Sequence, residues 1–512
     1  MRWLKSRFLL TILAVIALAL PATAQLGLDI QGGGVGQTIT FTLTGPPGGQ
    51  YLNILSLSTG PTCLPPPHNI CLDVDLLLLG LSLSIPGFYD YYPPSGVQVL
   101  TYPIPSDPIF GTLPPINFQT ILIGPPILDK SNLYRVTFAM PGTFAFTIEP
   151  LLEARAMVRL AELDDFSVLA IGGGLGDLTS GTGLATCEVY SRNLEKFSSA
   201  PSMNVPRALH TATRLLDGRI LVTGGVNAFG VPVSSAEIYD PAGPGWTLTS
   251  AMARARAGHA ASLLPDGRVL ISGGSADFSD AYQFIVTSTE TTEIFNPATL
   301  SFTAGPNLAE PKVGHSSTAL LTGNAIVAGG YSFFLLFGIP VPQISDQAQL
   351  YNYSPGGAGS FGSERTMRAG RLAHSATLLG DGRVLLVAGA GGSNPLDPIA
   401  LSSAELYDPG SNGFSNTGSL TGARATHSGT LLPDGKVLVA GGIVGSITAP
   451  VSIDTAEVWN PATGTFHAVG NLNTTRSTHD AILLADGTVL LVGGAGGPSE
   501  SSLDTAEAYQ PE

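Results

Sequence analysis

Charge is scarce in this chain, and what there is leans acidic. Only 12% of the residues are Asp, Glu, Lys or Arg, and the formal net charge is −15. No basic block occurs anywhere, which argues against nucleic acid and anionic membrane surfaces as partners. Beyond the N-terminus no run is long and apolar enough to span a bilayer, so no integral membrane segment is expected in the mature chain. Cysteine is nearly absent, with three in 512 residues. Cys63 and Cys71 flank a short loop and can form one disulfide in an exported protein, leaving Cys187 over. Several catalytic signatures are also missing. There is no Gly-x-Ser-x-Gly elbow, no His-Glu-x-x-His, no phosphate-cradling loop and no sialidase-type Asp box.

Glycine and proline, by contrast, are abundant at 63 and 39 residues, as suits an all-β chain with many turns. The N-terminus reads as an export signal over residues 1–24. Arg2, Lys5 and Arg7 precede the apolar run Phe8 to Leu20, and Pro21-Ala22-Thr23-Ala24 offers a cleavage site before Gln25. An uncleaved anchor is the alternative. The expected location is outside the cytoplasm: extracellular, at the cell surface or periplasmic.

From Arg155 onward one phrase recurs about every 50 residues, the spacing of a repeat architecture. It runs Arg-x-x-His, an apolar strand, Asp-Gly, and a second apolar strand ending in Gly-Gly. It is clearest as Arg207–His210–Asp217–Gly218–Gly224–Gly225 and as Arg424–His427–Asp434–Gly435–Gly441–Gly442. The opening basic residues are Arg155, Arg207, Arg256, Lys312, Arg371, Arg424 and Arg476. A third strand of the form Ala-Glu-x-Tyr carries Tyr190, Tyr239, Phe295, Tyr351, Tyr407, Trp459 and Tyr509, and a fourth strand carries one more aromatic. The fifth unit departs at the glycine pair and reads as Gly389-Ala390. Each Asp-Gly is expected to form a two-residue turn with both central residues at positive φ. The last unit lacks its fourth strand, and a matching phrase precedes the first unit at Gly142-Thr143-Phe144-Ala145-Phe146. Residues 143–149 are therefore expected to complete the seventh blade and close the ring, removing an exposed sheet edge.

This register resembles kelch-repeat propellers across Thr143 to Glu512, and Leu264 to Leu270 is worded most like exported bacterial kelch proteins. It is similar also to the propeller of the galactose oxidase and glyoxal oxidase family. The resemblance implies an all-β fold: a seven-bladed kelch β-propeller over 142–512, behind a small β-sandwich-like accessory domain over 25–141. That accessory region alternates apolar and polar residues, as in Thr38 to Leu43 and Tyr134 to Phe138, with Leu76 to Leu81 expected as a buried strand. The oxidase resemblance would imply copper held by a cross-linked Cys–Tyr pair, a second Tyr and two His. Cys187 stands instead where other units carry alanine in the third strand, a slot for a buried, inert thiol. No cofactor and no metal site are expected. Sialic acid mutarotases are kelch propellers too, and nothing singles out their catalytic residues here.

The repeated residues admit two readings. His210, His259, His315, His374, His427 and His479 could ring a central channel as a metal or anion site, or each could hydrogen-bond its own or the neighbouring blade. Arg207, Arg256, Lys312, Arg371, Arg424 and Arg476 could bind acidic sugars at the mouth. Alternatively, they pair with third-strand acids, a pattern in which the fourth unit changes both members at once, to Lys312 and Gln349. Function is expected where units differ, in the loops after Gly-Gly. The longest are Ser275 to Thr291, with Asp277, Phe278, Asp280 and Tyr282, and Tyr331 to Asp346, with Phe333, Phe334, Leu335 and Phe337 near an apolar tip. That tip is either a partner surface or a cover for the N-terminal domain. The leading expectation is an exported, non-enzymatic protein that binds a protein or glycan through the long-loop face. The alternative is a carbohydrate-active enzyme, either a galactose oxidase-like copper oxidase or a sugar epimerase.

Overall fold

The computed structural model describes residues 141–147, 150–175, 182–192, 194–497 and 499–512. Between 27 and 136 it describes only the strands Gly27–Gln31, Thr38–Thr44, Gln50–Ser56, Thr59–Cys63, Cys71–Val74, Tyr89–Tyr91, Val97–Pro103, Ile116–Leu122, Asp129–Lys130 and Tyr134–Val136. The export signal and Leu76 to Leu81 lie outside the described residues. Two compact units emerge, dividing principally between Pro141 and Gly142.

In the first unit, the described strands form a three-stranded sheet, a five-stranded sheet and a two-stranded ribbon. Thr38–Thr44 is the central strand of the first sheet, in the place where the sequence alternates. In the ribbon, Cys63 stands directly opposite Cys71.

The second unit is built from repeated antiparallel sheets of four strands, one of which gains a short fifth strand. In each, the second strand is buried along its whole length, as in Val168–Ile171, Ile220–Thr223, Val384–Val387 and Val489–Val492. A strand covered on both faces must be apolar at every position, which is why these read as continuous runs rather than alternations. Apolar cores lie between successive sheets. Leu438 and Val458 of one sheet meet Val489 and Leu491 of the next, and Leu490 and Val492 of that sheet meet Val168 and Ala170 of the first. The first strands touch in a cycle, Arg159–Glu162 against Thr211–Arg214 and so on round to Asp480–Leu483, which returns to Arg159–Glu162. The result is a β-propeller.

Thr143–Phe146 pairs antiparallel with Ala506–Gln510, and Phe144 lies opposite Tyr509 with ring centroids 4.9 Å apart. The same third-to-fourth-strand contact recurs in the other sheets, for example between Tyr190 and Phe197 at 5.1 Å and between Tyr239 and Trp246 at 5.2 Å. An N-terminal segment thus supplies the outer strand of the C-terminal sheet.

Two local expectations are corrected. The Asp-Gly turns are not two-residue loops with paired positive φ. The amide of Gly218 donates to the carbonyl of Leu215 (3.1 Å), and that of Leu215 to Arg219 (2.8 Å). Gly218 has φ +84°, whereas Asp217 stays out of the left-handed region. This is a type I turn closed by one left-handed residue, which also suits the twist of the flanking strands. In the fifth sheet the glycine-pair position is held by Ala388-Gly389 rather than Gly389-Ala390. Gly389 donates to the carbonyl of Arg424, as Gly225 does to Arg256, and Ala388 takes the left-handed conformation at φ 54°.

Candidate functional site

Each repeated basic residue anchors a buried node. The Arg207 guanidinium donates to the carbonyls of Gly224 and Ser235 (both 2.8 Å) and to the Glu237 carboxylate (3.0 Å). Glu237 in turn accepts from the backbone amides of Asn204 and Val205, in the segment that enters the sheet. Arg155–Glu188, Arg256–Glu293, Arg371–Glu405, Arg424–Glu457 and Arg476–Glu507 repeat the pair at 2.6–3.0 Å. Five donors and a rigid fork let one arginine tie two strands and a linker together. The fourth sheet differs from the expected partnership. Lys312 pairs with Glu310 (2.6 Å) rather than Gln349, and Gln349 accepts from the amide of Ala309. A lysine reaches a different carboxylate because it is a single point donor, not a fork.

The glycine pair makes room for this node and for the histidine. A methyl group on Gly172 would stand 2.7 Å from the carbonyl of Arg207. Five of the six histidines are buried and His374 is partly so; withdrawal from solvent holds them neutral, pushing His315 and His479 down to about 3. Nε2 of His259, His374, His427 and His479 meets a hydroxyl of the preceding sheet: Thr211 (3.1 Å), Ser316, Ser375 and Ser428 (2.9 Å each). His315 meets Ser272 at 2.9 Å. These imidazoles staple neighbouring sheets together.

Just before the histidines runs a feature that sequence reasoning missed. Met157, Leu209, Gly258, Gly314, Ala373, Thr426 and Thr478 all adopt left-handed backbone, with φ from 49° to 67°. Their amides and carbonyls then point along the ring rather than into the sheets. Met157 donates to Thr478, Thr478 to Thr426, Thr426 to Ala373, Ala373 to Gly314, Gly314 to Gly258 and Gly258 to Leu209, at 2.8–3.1 Å. The only signal was glycine at 258 and 314, since left-handed backbone is costly for other residues.

Over this ring opens an apolar pocket of about 270 Å3. Its floor is Leu209, Gly258, Gly314, Ala373 and Thr426, and its walls include Phe278, Phe284, Tyr331, Leu372 and Ile447. The walls come from loops of different sheets. The third-sheet loop folds into a helix, Ala281–Val286, whose N-cap Asp280 accepts from the amide of Gln283 (2.8 Å). Phe278 and Phe284 pack edge to face at 5.1 Å. The fourth-sheet loop is a β-hairpin of Tyr331–Leu336 and Ile339–Ile344.

The predicted binding residues fall into three groups. Phe278 and Asp280 line the pocket, and Tyr282 bridges helix to hairpin through its hydroxyl, which donates to the Pro340 carbonyl (3.3 Å). Phe333 packs into the cluster beneath, while Phe334, Leu335 and Phe337 are 46%, 65% and 96% exposed. Asp277 and Asp346 have local work instead. Asp277 accepts from Ser279, which holds its carboxyl below the usual range, and Asp346 accepts from Gln347.

The histidines and the leftover cysteine do not fit a copper site. Five imidazoles already spend Nε2 on hydroxyls, and among the described residues no three His, Cys, Asp or Glu side chains converge as metal ligands. Cys187 lies in the core between the first two sheets, where burial pushes its thiol up to about 11.

Comparison with known proteins adds three findings. The kelch motif matches residues 207–252 and 424–473. No curated protein matches the chain. Among solved structures, a fungal alcohol oxidase of the AA5 family, in complex with copper, is 20% identical over 72% of this chain and 75% of its own, with a TM-score of 0.53. YjhT is 13% identical over 60% of this chain and 95% of its own, at a TM-score of 0.45. With its buried Arg–Glu nodes, glycine pairs and stacked aromatics repeated round a ring of sheets, this chain is a kelch-repeat β-propeller protein.

Proposed function

We propose that this is an exported, non-enzymatic binding protein. In this reading a seven-bladed propeller over 142–512 follows a β-sandwich-like domain over 25–141, itself preceded by a cleaved signal over 1–24, with Cys63 and Cys71 forming a disulfide. The loop face receives an apolar segment of a protein partner. The observation that carries this is the apolar pocket over the ring, set beside a hairpin whose tip, Phe334 to Ile339, is exposed and uncharged. Exposed apolar clusters of this kind mark interaction surfaces, because leaving them in water is unfavourable. A glycan fits less well, since each buried sugar hydroxyl needs a polar partner and the pocket walls offer few.

The test replaces Phe334 to Ile339 with a Gly-Ser turn in the full chain. The expected outcome is loss of partner capture from the producing cell's envelope and medium, with an unchanged β-sheet circular dichroism spectrum. Retained capture would remove the hairpin from the contact. The enzyme alternative predicts stoichiometric copper and peroxide release on galactose or glyoxal; both together would overturn the binding reading.

A further inference from the structure

The hydroxyl-to-imidazole staples connect five neighbouring pairs of sheets and fail in one sector, from the last sheet through the first to the second. There the residue after the histidine position is Asp480 in the last sheet and Arg159 in the first, and Val158 replaces the first sheet's histidine. Elsewhere that position holds Thr211, Ala260, Ser316, Ser375 and Ser428, all uncharged. His210 consequently meets no hydroxyl. It is 1% exposed, and among the described residues neither ring nitrogen has a hydrogen-bond partner. The ring of left-handed residues breaks at the same place: among the described residues, Leu209 makes no bond to Met157 equivalent to the other six.

Arg159 is exposed and donates through Nε to the carbonyl of His210 (3.2 Å). Its two terminal nitrogens bond to no described residue. Asp480 is already committed to backbone amides, those of Leu160 (2.9 Å) and Ala481 (3.0 Å). A serine or threonine at 159 would give His210 the partner that the other histidines have. The chain instead carries an arginine that grips the His210 backbone through Nε, leaves its terminal nitrogens unbonded among the described residues, and stands beside a buried imidazole whose Nε2 lacks the hydroxyl found in the other sheets. Stability alone gives no reason for that choice, whereas a forked cation beside a second donor is the usual arrangement for gripping an oxyanion.

We propose that Arg159 and His210 form an anion site at the centre of the ring, taking a carboxylate or phosphate group. Neither Arg159 nor His210 lines the pocket at the loops, so the two readings stand or fall independently.

The experiment follows thermal unfolding of the full chain with inorganic phosphate, acetate or glucuronate, each at millimolar concentration against sodium chloride at equal ionic strength. The expected result is a rise in Tm with at least one anion, and comparison of the phosphate and carboxylate arms identifies the source. Arg159→Gln should abolish that rise. Arg159→Thr should abolish it too and, by supplying the missing hydroxyl, raise the ligand-free Tm above that of the parent. No rise in the parent protein, a rise that survives in Arg159→Gln, or an Arg159→Thr protein less stable than the parent would each overturn the proposal.

Discussion

At one end of every second strand the chain turns in nearly the same way each time; at the other end no two connections match. The turn end repeats a type I turn closed by a left-handed residue, from Leu215–Gly218 to Leu484–Gly487. The first sheet keeps that geometry with Phe166, at φ 62°, in the glycine's place. The loop end ranges from the short turn at Asn227–Val231 to a helix and a hairpin of two six-residue strands. It even includes a four-stranded sheet assembled from loops of the fifth and sixth sheets, Ala390–Gly391, Ile399–Ala400, Ile443–Ser446 and Ala449–Ser452. The difference lies in what anchors each end. Beneath the loops, the Arg–Glu node and the glycine pair hold the base of each connection from inside, so whatever projects beyond is free to vary. Loops on such rigid bases are where binding surfaces can change without cost to the scaffold.

That contrast can be broken most severely at the ring's seam. Deleting Thr143–Phe146 exposes the edge of Ala506–Gln510 and strips the last core of Phe144. Even Phe144→Ala alone should cost about 3–5 kcal/mol, the usual range for emptying a buried aromatic site, as read by chemical denaturation. A deletion variant that unfolds at the parent's midpoint would show that the seam does not hold the ring.

The next test sets the two ends against each other with the same residue type. Arg424→Met leaves Glu457 buried without its cation and should destabilise by roughly 3–5 kcal/mol. Arg219→Met removes the pair with Asp217 (2.7 Å) at a partly exposed turn and should stay within about 1 kcal/mol. Equal effects would erase the distinction between anchor and turn.

Acid should remove less per residue than the loss of the core aromatic or of a buried cation. Burial lowers the pKa of all six repeat histidines, and of His315 and His479 to about 3. An unfolded histidine titrates near 6.5, so between these values the unfolded chain binds more protons. Stability is therefore complete above about pH 6.5 and falls as pH drops toward 3. At pH 5 the loss is about 2 kcal/mol for a histidine such as His479, and replacing that residue with Gln should flatten part of the slope. A Tm constant from pH 7 to 4.5 would contradict neutral burial.

Much of the scaffold was legible because its demands are local and repeated. A glycine pair, a buried basic residue and two aromatics each solve the same packing problem in every unit, so they recur at a readable spacing. The fourth unit shows the limit. Lys312 and Gln349 were visible as a joint change, yet the partner Glu310, two residues before Lys312, lies outside the repeat pattern and nothing in that pattern marks it. Ala388 shows another: an alanine in left-handed backbone gives no compositional sign, and the sequence pattern therefore places the glycine pair one position late.

By itself the sequence determined the all-β class, the repeating node and the segment that completes the final sheet, since each follows from residue types at fixed intervals along the chain. Only the tertiary structure decided that Phe278, Leu372 and Ile447 face one pocket, that the histidines staple sheets rather than gather round an ion, and that Arg159 stands beside an unpartnered His210. These are relations between residues 43 or more positions apart in the chain, and periodicity carries no information about which departures from the pattern meet in space.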